Sequence, residues 1–225
     1  MKLQEVKLMN YSRTEDTVNS ITHLLGLPLG IVALVLCLKR SLEEGSKVGL
    51  ISSIIYGISI ILLYAGSGMY HGVNPGRVKK VLRVIDHCMI FILIAGSMTP
   101  YSLIAFRPYH PVLCWVTIGF AWGSALFGII CTAINQEKFK VVQMILYISI
   151  GWVMVFAIKP LLKIFSGELR PGLILLFVGG GLYTIGAILC GIGKKQPYFH
   201  AIFHGFVLAG TLVQFLSVYN YVLVM

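Results

Sequence analysis

The chain has 225 residues, of which 57% are hydrophobic and only 12% are charged. A soluble domain has about 25% charged residues, so this composition argues against a soluble protein and indicates an integral membrane protein. The net charge of +10 does not indicate nucleic-acid binding, because the lysines and arginines cluster between hydrophobic runs and form no stripe. Basic residues in such loops orient a membrane protein and meet anionic headgroups, so membrane lipids are the expected partners.

Hydrophobic runs long enough to cross a bilayer, about 20 residues each, recur seven times along the chain. They predict spans at Thr17–Leu38, Val48–Tyr70, Val84–Ala105, Val112–Thr132, Val141–Ile158, Gly172–Cys190 and Tyr198–Tyr221. The separators are short and contain charged residues, proline or glycine, and none could hold a second domain. The sequence therefore predicts an all-α fold, with one seven-helix transmembrane domain over residues 17–225 and a cytoplasmic segment at residues 1–16.

The distribution of basic residues predicts the orientation of the bundle. Lysines and arginines are more numerous in the loops on the side of the amino terminus than in the loops on the other side. Because cytoplasmic loops carry the excess of basic residues, we expect the amino terminus in the cytoplasm and the carboxyl terminus outside.

Four ionisable side chains fall at this predicted cytoplasmic end. His71 ends the second hydrophobic run, Asp86 lies near the start of the third, and His200 and His204 open the seventh. The i, i+4 spacing of the last two places both imidazoles on one helix face, about one turn apart. Ionisable groups at membrane depth are costly and tend to be functional, so these side chains are expected to converge if their spans are neighbours.

Three histidines and a carboxylate are typical of a catalytic zinc site. Zinc takes three protein ligands and a water in such sites, and His71, His200 and His204 supply three imidazoles. The metal would lower the pKa of that water, and Asp86 could accept its proton. Ser67 lies one turn before His71, where it could donate a hydrogen bond to the site. The metal identity stays open, since imidazole also suits copper, iron and nickel.

Each of these residues also has a purely structural interpretation. An HxxxH pair often makes interhelical hydrogen bonds, and Asp86 could be a carboxylate favoured by the dipole at the start of a helix. Ser67, in a run of small residues, could allow close helix packing. His87 would point about 100° away from Asp86. His23, on one helix with Glu15, Asn19 and Thr22, is expected to make a polar interhelical contact.

The ordered motifs of the chain resemble those of the hemolysin III family, the bacterial branch of the progestin and adipoQ receptor superfamily. The resemblance covers essentially the whole chain and rests on Asn19–His23, Ser67-x-x-x-His71, Ile85-Asp86-His87, Ala95–Tyr101 and His200–His204. The chain departs from the family in one place, with Leu24-Leu25-Gly26 where a His-Gly pair is common.

The resemblance implies a seven-helix bundle in a bacterial cell membrane, with its amino terminus inside. It also implies zinc held by His71, His200 and His204, with Asp86 and Ser67 beside it. Receptor relatives are linked to ceramidase-type hydrolysis of lipid amides, and the bacterial branch to membrane-lipid homeostasis.

Two functions from different classes follow from these expectations. The first is a zinc-dependent hydrolase of a lipid amide or ester. The second is a non-enzymatic membrane sensor, or a haemolysin-type permeabilising protein, in which zinc is structural. The number of ligands discriminates between them, because a fourth protein ligand closes a structural site and three leave a position open. The sequence offers three candidate ligands, which favours the hydrolase. The oligomeric state is not predicted.

Overall fold

The computed structural model describes residues 4–192 and 196–225, and helices are the regular secondary structure in this part of the chain. Seven helical segments are long and apolar enough to cross a membrane, which confirms the predicted number of spans. They are Arg13–Glu43, Lys47–Gly72, Arg77–Phe106, Pro111–Asn135, Lys140–Ile164, Gly167–Ile192 and Phe199–Val222. The first six are longer than the hydrophobic runs that predicted them, because polar residues at their ends continue the helix.

The spans are built from the following α-helices of the described residues. In chain order they are α1 (Arg13–Leu24), α2 (Gly26–Glu43), α3 (Lys47–Gly72), α4 (Arg77–Pro100), α5 (Pro111–Asn135), α6 (Lys140–Gly151), α7 (Ile158–Ile164), α8 (Arg170–Ile192) and α9 (Phe199–Ser217). The first span contains α1 and α2, and the fifth contains α6 and α7.

Three of the spans are interrupted at or near a proline. Proline lacks the N–H that would donate to the carbonyl four residues earlier, and its ring clashes with that carbonyl. Pro28 therefore accounts for the break at Leu25, between α1 and α2. Pro100 ends α4, and the third span continues as a π-helical turn at Tyr101–Phe106. In the fifth span, Pro160 lies in the first turn of α7, directly after a 3-10 stretch.

The second, third and seventh spans form the centre of the bundle. In their most apolar stretches they are 50%, 72% and 44% buried, against 22–28% for the other four spans. α3 packs along α4, and α1 packs against both α3 and α9. The short α1 therefore joins the helix that ends with His71 to the helix that begins with His200 and His204. We call this side of the bundle, where α3 ends and α4 and α9 begin, the histidine end.

The segment before α1 also packs against the bundle. Val6 is buried in a small apolar cluster with Val84 and Cys88 of α4. Glu5 accepts a hydrogen bond from the side chain of Asn135, at the end of α5. These contacts hold residues 5–6 against the histidine end. This part of the predicted cytoplasmic segment therefore packs on the transmembrane domain. The assignment of this end to the cytoplasm stays a prediction from the basic residues.

Candidate metal centre

The three histidines singled out from the sequence converge at the histidine end. One potential ligand atom from each of His71, His200 and His204 lies within 4.8 Å of the others. The Nε2 atoms of His71 and His200 are 3.2 Å apart. Two nitrogens bound to one zinc ion at about 2.0–2.1 Å, with a tetrahedral angle between them, are roughly 3.3 Å apart, so this separation fits a shared metal. We call these three residues the histidine cluster.

The imidazole of His71 is oriented by a carboxylate on α1. His71 is 2% exposed, and its Nδ1–H donates to Oδ1 of Asp16 across 3.1 Å. The other carboxylate oxygen of Asp16 accepts from Lys79 Nζ at 2.6 Å, and Lys79 also donates to the carbonyl of Val73. With its proton on Nδ1, His71 directs the Nε2 lone pair into the cluster. A carboxylate bonded to the far nitrogen of a ligand histidine is a common feature of metal sites.

The other two histidines are also held through Nδ1. His204 is 1% exposed, and its Nδ1 lies 3.1 Å from the carbonyl of Asn19 and 3.0 Å from the hydroxyl of Thr22. Since a carbonyl only accepts, the proton of His204 lies on Nδ1. His200 Nδ1 lies 3.6 Å from Cys190 Sγ, on α8. Each imidazole therefore has its Nδ1 engaged outside the cluster and its Nε2 available for a ligand.

The start of α1 determines which side chains reach the cluster. The Ser12 hydroxyl accepts from the backbone N–H of Glu15, and the Glu15 carboxylate accepts from the backbone N–H of Ser12. This capping box fixes the helix start. Asp16, Asn19 and His23 then follow at spacings of three and four residues, on one helix face. That face is turned towards α3 and α9.

Sequence reasoning did not identify Asp16 or Lys79. It placed Glu15 on one helix with Asn19 and Thr22, whereas in the structure Glu15 belongs to the capping box with Ser12 and Asp16 is the partner of His71. The available signal was the helical spacing of Asp16, Asn19 and His23, together with the capping box that begins at Ser12.

Asp86 and Ser67 lie beside each other but outside the ligand group. The Ser67 hydroxyl faces the Asp86 carboxylate, and both residues are buried. Among the described residues, the atoms that could share one metal come from the three histidines, without Asp86. Asp86 is next to His87, whose Nδ1 lies 3.7 Å from Oδ2. Asp86 is therefore not among the candidate ligands, and its catalytic assignment stays a prediction.

His23 packs against the cluster through its ring. Its centroid lies 3.4 Å from that of His204 and 5.3 Å from that of Tyr64. His23 is 3% exposed, and neither ring nitrogen has a hydrogen-bond partner among the described residues. The sequence predicted a polar interhelical contact for this residue, and the structure shows instead a ring contact with a candidate ligand.

The comparisons with known proteins agree with this arrangement. The family model described as Haemolysin-III related matches residues 11–215. The chain belongs to this family. The match begins before α1 and extends past the histidine cluster to residue 215, so it covers the candidate metal centre and confirms the family resemblance of the motifs.

Similar haemolysin III proteins span nearly the same length. The Hemolysin-3 homolog of Bacillus subtilis (strain 168) is 38% identical over 207 residues, which cover 92% of this chain and 94% of the relative. Hemolysin-3 of Bacillus cereus is 36% identical, over 93% of this chain and 92% of the relative. The human Monocyte to macrophage differentiation factor is 28% identical, over 92% and 84%. The human match is consistent with the wider superfamily.

In this haemolysin III chain, an aromatic side chain covers the cluster from the amino-terminal segment. The Tyr11 ring is stacked on His200, with centroids 5.5 Å apart, and lies 5.8 Å from His71. Burial raises the pKa of the Tyr11 phenol well above its ordinary value, so Tyr11 is neutral. The ring therefore closes the cluster on this side with an uncharged aromatic surface.

Proposed function

We propose that this haemolysin III protein is a zinc-dependent hydrolase of lipid amides or esters in a bacterial cell membrane, with a role in membrane-lipid homeostasis. One observation carries the proposal. His71 and His204 both place the Nδ1 proton outside the cluster, which leaves each Nε2 as an acceptor, and potential ligand atoms of the three histidines lie within 4.8 Å of one another. Converging lone pairs repel, and a cation between them removes the repulsion.

The donor set favours a reactive site over a closed one. Three imidazoles leave one position of a tetrahedral zinc ion for water, and no fourth His, Cys, Asp or Glu joins the group within the described residues. When bound, zinc supplies the Lewis acidity that activates water and polarises a carbonyl group. Membrane lipids are the substrate class that fits a site built into transmembrane helices.

In this proposal, residues around the histidine cluster transfer protons and orient the groups that react. Asp86 accepts a proton from the attacking water and returns it to the leaving amine or alcohol. Ser67 donates a hydrogen bond to the Asp86 carboxylate and so keeps it aimed at the site. Asp16 keeps His71 in the tautomer that binds metal, and Asn19 does the same for His204.

Turnover of fluorescent acyl-amide and acyl-ester lipids by the purified protein tests this proposal. We expect hydrolysis that is lost on chelation and restored by zinc. Asp86→Asn should abolish turnover and leave the bound zinc in place. Glu168→Gln is the matched control, because Glu168 is an exposed acid at the other end of the bundle. Hydrolysis that survives both chelation and Asp86→Asn contradicts the proposal.

A second candidate function is a non-enzymatic membrane sensor or permeabilising protein with a structural metal. The burial of the cluster under Tyr11 favours it, as does the origin of the ligands, because a metal would tie the end of α3 to the start of α9. In this case metal removal lowers the melting temperature while no lipid is hydrolysed. Leakage of dye from liposomes that depends on the histidines would identify the permeabilising form.

A further inference from the structure

A line of buried polar side chains runs through the bundle, away from the histidine cluster. On α9 it begins beyond His204 with Thr211 and continues with Gln214 and Ser217, at intervals of three residues. From His204 to Ser217 is a distance of roughly 20 Å along the helix. Three tyrosines from other spans meet these side chains, and Tyr56 of α3 lies near the same three phenols. We call the whole set the interior column: Tyr56, Tyr64, Tyr101, Tyr183, Thr211, Gln214 and Ser217.

Two hydrogen-bonded groups form the parts of the column nearest to the two ends. Nearer the histidine end, the Thr211 hydroxyl accepts from Tyr64 at 2.8 Å and lies 2.8 Å from the Tyr183 hydroxyl. Nearer the opposite end, Tyr101 donates to the Ser217 hydroxyl at 2.8 Å. Each group joins helices that are far apart in sequence, and each is satisfied internally.

The stretch between the two groups contains polar atoms without protein partners. Gln214 lies between Thr211 and Ser217 on α9, and its Oε1 has no hydrogen-bond partner among the described residues. The same holds for the hydroxyl of Tyr56, on α3. These residues are 3% and 1% exposed. In a bilayer, buried polar groups must be satisfied by protein or by ordered water, because lipid tails offer no partner.

Further unpartnered groups lie next to the column. The Ser52 hydroxyl is one turn from Tyr56 on α3, towards the opposite end, and is fully buried without a partner in the described chain. Towards the histidine end, the His23 ring, whose two nitrogens have no partner among the described residues, packs at a steep angle against the Tyr64 ring. Unpartnered polar groups therefore extend along the axis from the neighbourhood of His204 into the half of the bundle where α3 begins.

We propose that ordered water binds between Tyr56 and Gln214 and joins the two hydrogen-bonded groups into one hydrated column. A water there donates to Gln214 Oε1 and accepts from the Tyr56 hydroxyl. Its second O–H and second lone pair can form hydrogen bonds with the hydroxyls of the flanking groups. The column gives the histidine cluster a route for water and protons from the opposite half of the bundle. This route is separate from the end that Tyr11 covers.

Oxidative labelling by hydroxyl radicals generated within the detergent-solubilised protein tests the proposal. A brief X-ray pulse converts nearby water to radicals, which oxidise adjacent side chains, and mass spectrometry reports the rate at each residue. We expect Tyr56 to be oxidised several times faster than Phe91, after correction for intrinsic reactivity. Phe91 is the reference because it is fully buried in a separate apolar cluster.

Two variants locate the water. Gln214→Leu removes the unpartnered carbonyl and fills the space with apolar atoms, so the excess oxidation of Tyr56 should be lost. Gln143→Leu is the matched control, since Gln143 is equally buried but donates to the carbonyl of Gln136. It should leave the Tyr56 rate unchanged. Oxidation of Tyr56 no faster than that of Phe91, or an excess that survives Gln214→Leu, overturns the proposal.

Discussion

Two groups of ionisable side chains lie at the histidine end, and they are held in different ways. The histidine cluster takes its nitrogens from α3 and α9 and the partners of those nitrogens from α1 and α8. The second group, Arg83, His87 and Glu137, is called here the α4 charge group. His87 Nδ1–H donates to the Arg83 carbonyl one turn earlier on α4, and Arg83 forms an ion pair with Glu137, just after α5, at 3.3 Å.

The difference shows what marks a binding site in this bundle. In the α4 charge group, every charged side chain faces a group of opposite charge or a backbone acceptor close by. In the histidine cluster, like acceptor nitrogens from α3 and α9 are brought together by hydrogen bonds to partners on two further helices, α1 and α8. Converging acceptor nitrogens do not stabilise the fold unless a cation binds between them. Paired charges, by contrast, can have a structural role without any ligand.

The largest expected difference between the two groups is in metal content. We expect the wild-type chain to bind roughly one zinc ion, and His204→Ala and His71→Ala, which each remove a candidate ligand, should lose nearly all of it. His87→Ala removes an imidazole of the α4 charge group and should keep the zinc. Elemental analysis by mass spectrometry measures the three variants side by side. Equal zinc in all of them would end the metal assignment.

A smaller effect separates the carboxylates of the two groups. Asp16→Asn weakens the hydrogen bond that orients His71, and the loss of such a partner weakens metal binding by about 10–100-fold. Glu137→Gln changes the partner of Arg83 in the same chemical way and should leave the affinity unchanged. Competition with a fluorescent chelator measures both dissociation constants. A shift of similar size in both variants would show that general electrostatics, and not the orientation of His71, explains the effect.

The smallest expected effect concerns access to the cluster. Tyr11→Ala removes the ring that covers His71 and His200 without removing a ligand, so chelators should extract the metal several times faster while zinc content is kept. Tyr109→Ala is the control, because Tyr109 is exposed at the opposite end. Stopped-flow measurement of metal release compares the two variants. An extraction rate unchanged by Tyr11→Ala would mean that the metal leaves by another route.

The seven spans and the histidine cluster could be predicted from the sequence for separate reasons. Hydrophobic runs of about 20 residues indicate transmembrane helices directly, because the thickness of the bilayer sets their length. The three histidines were found because spans of alternating direction bring the end of the second and the start of the seventh to one side. The break between α1 and α2 can be traced to Pro28 in the sequence, but its consequence, a short helix packed between α3 and α9, depends on tertiary contacts.

The partners of the histidines were harder to predict. Asp16 and Glu15 are neighbours in sequence, and which of them faces the cluster depends on one residue of helix register. That register follows from the cap at Ser12. The sequence near α1 therefore contains the signal that Asp16 faces the cluster, but a shift of one residue points to Glu15 instead. The position of Tyr11 over His200 had no local signal at all, because it results from contacts that residues 5 and 6 make with α4 and α5.

The hydrogen bond between the Asn19 carbonyl and His204 joins residues 185 positions apart, in the first and last spans. During synthesis, Asp16 and His71 are made well before α9, so the first ligand and its partner exist while two of the three ligands are still untranslated. Metal can be held by all three histidines only after the seventh span has inserted. Metal binding at this site therefore indicates that all seven spans have been inserted. Chains truncated before residue 200 should reach the membrane without acquiring the metal.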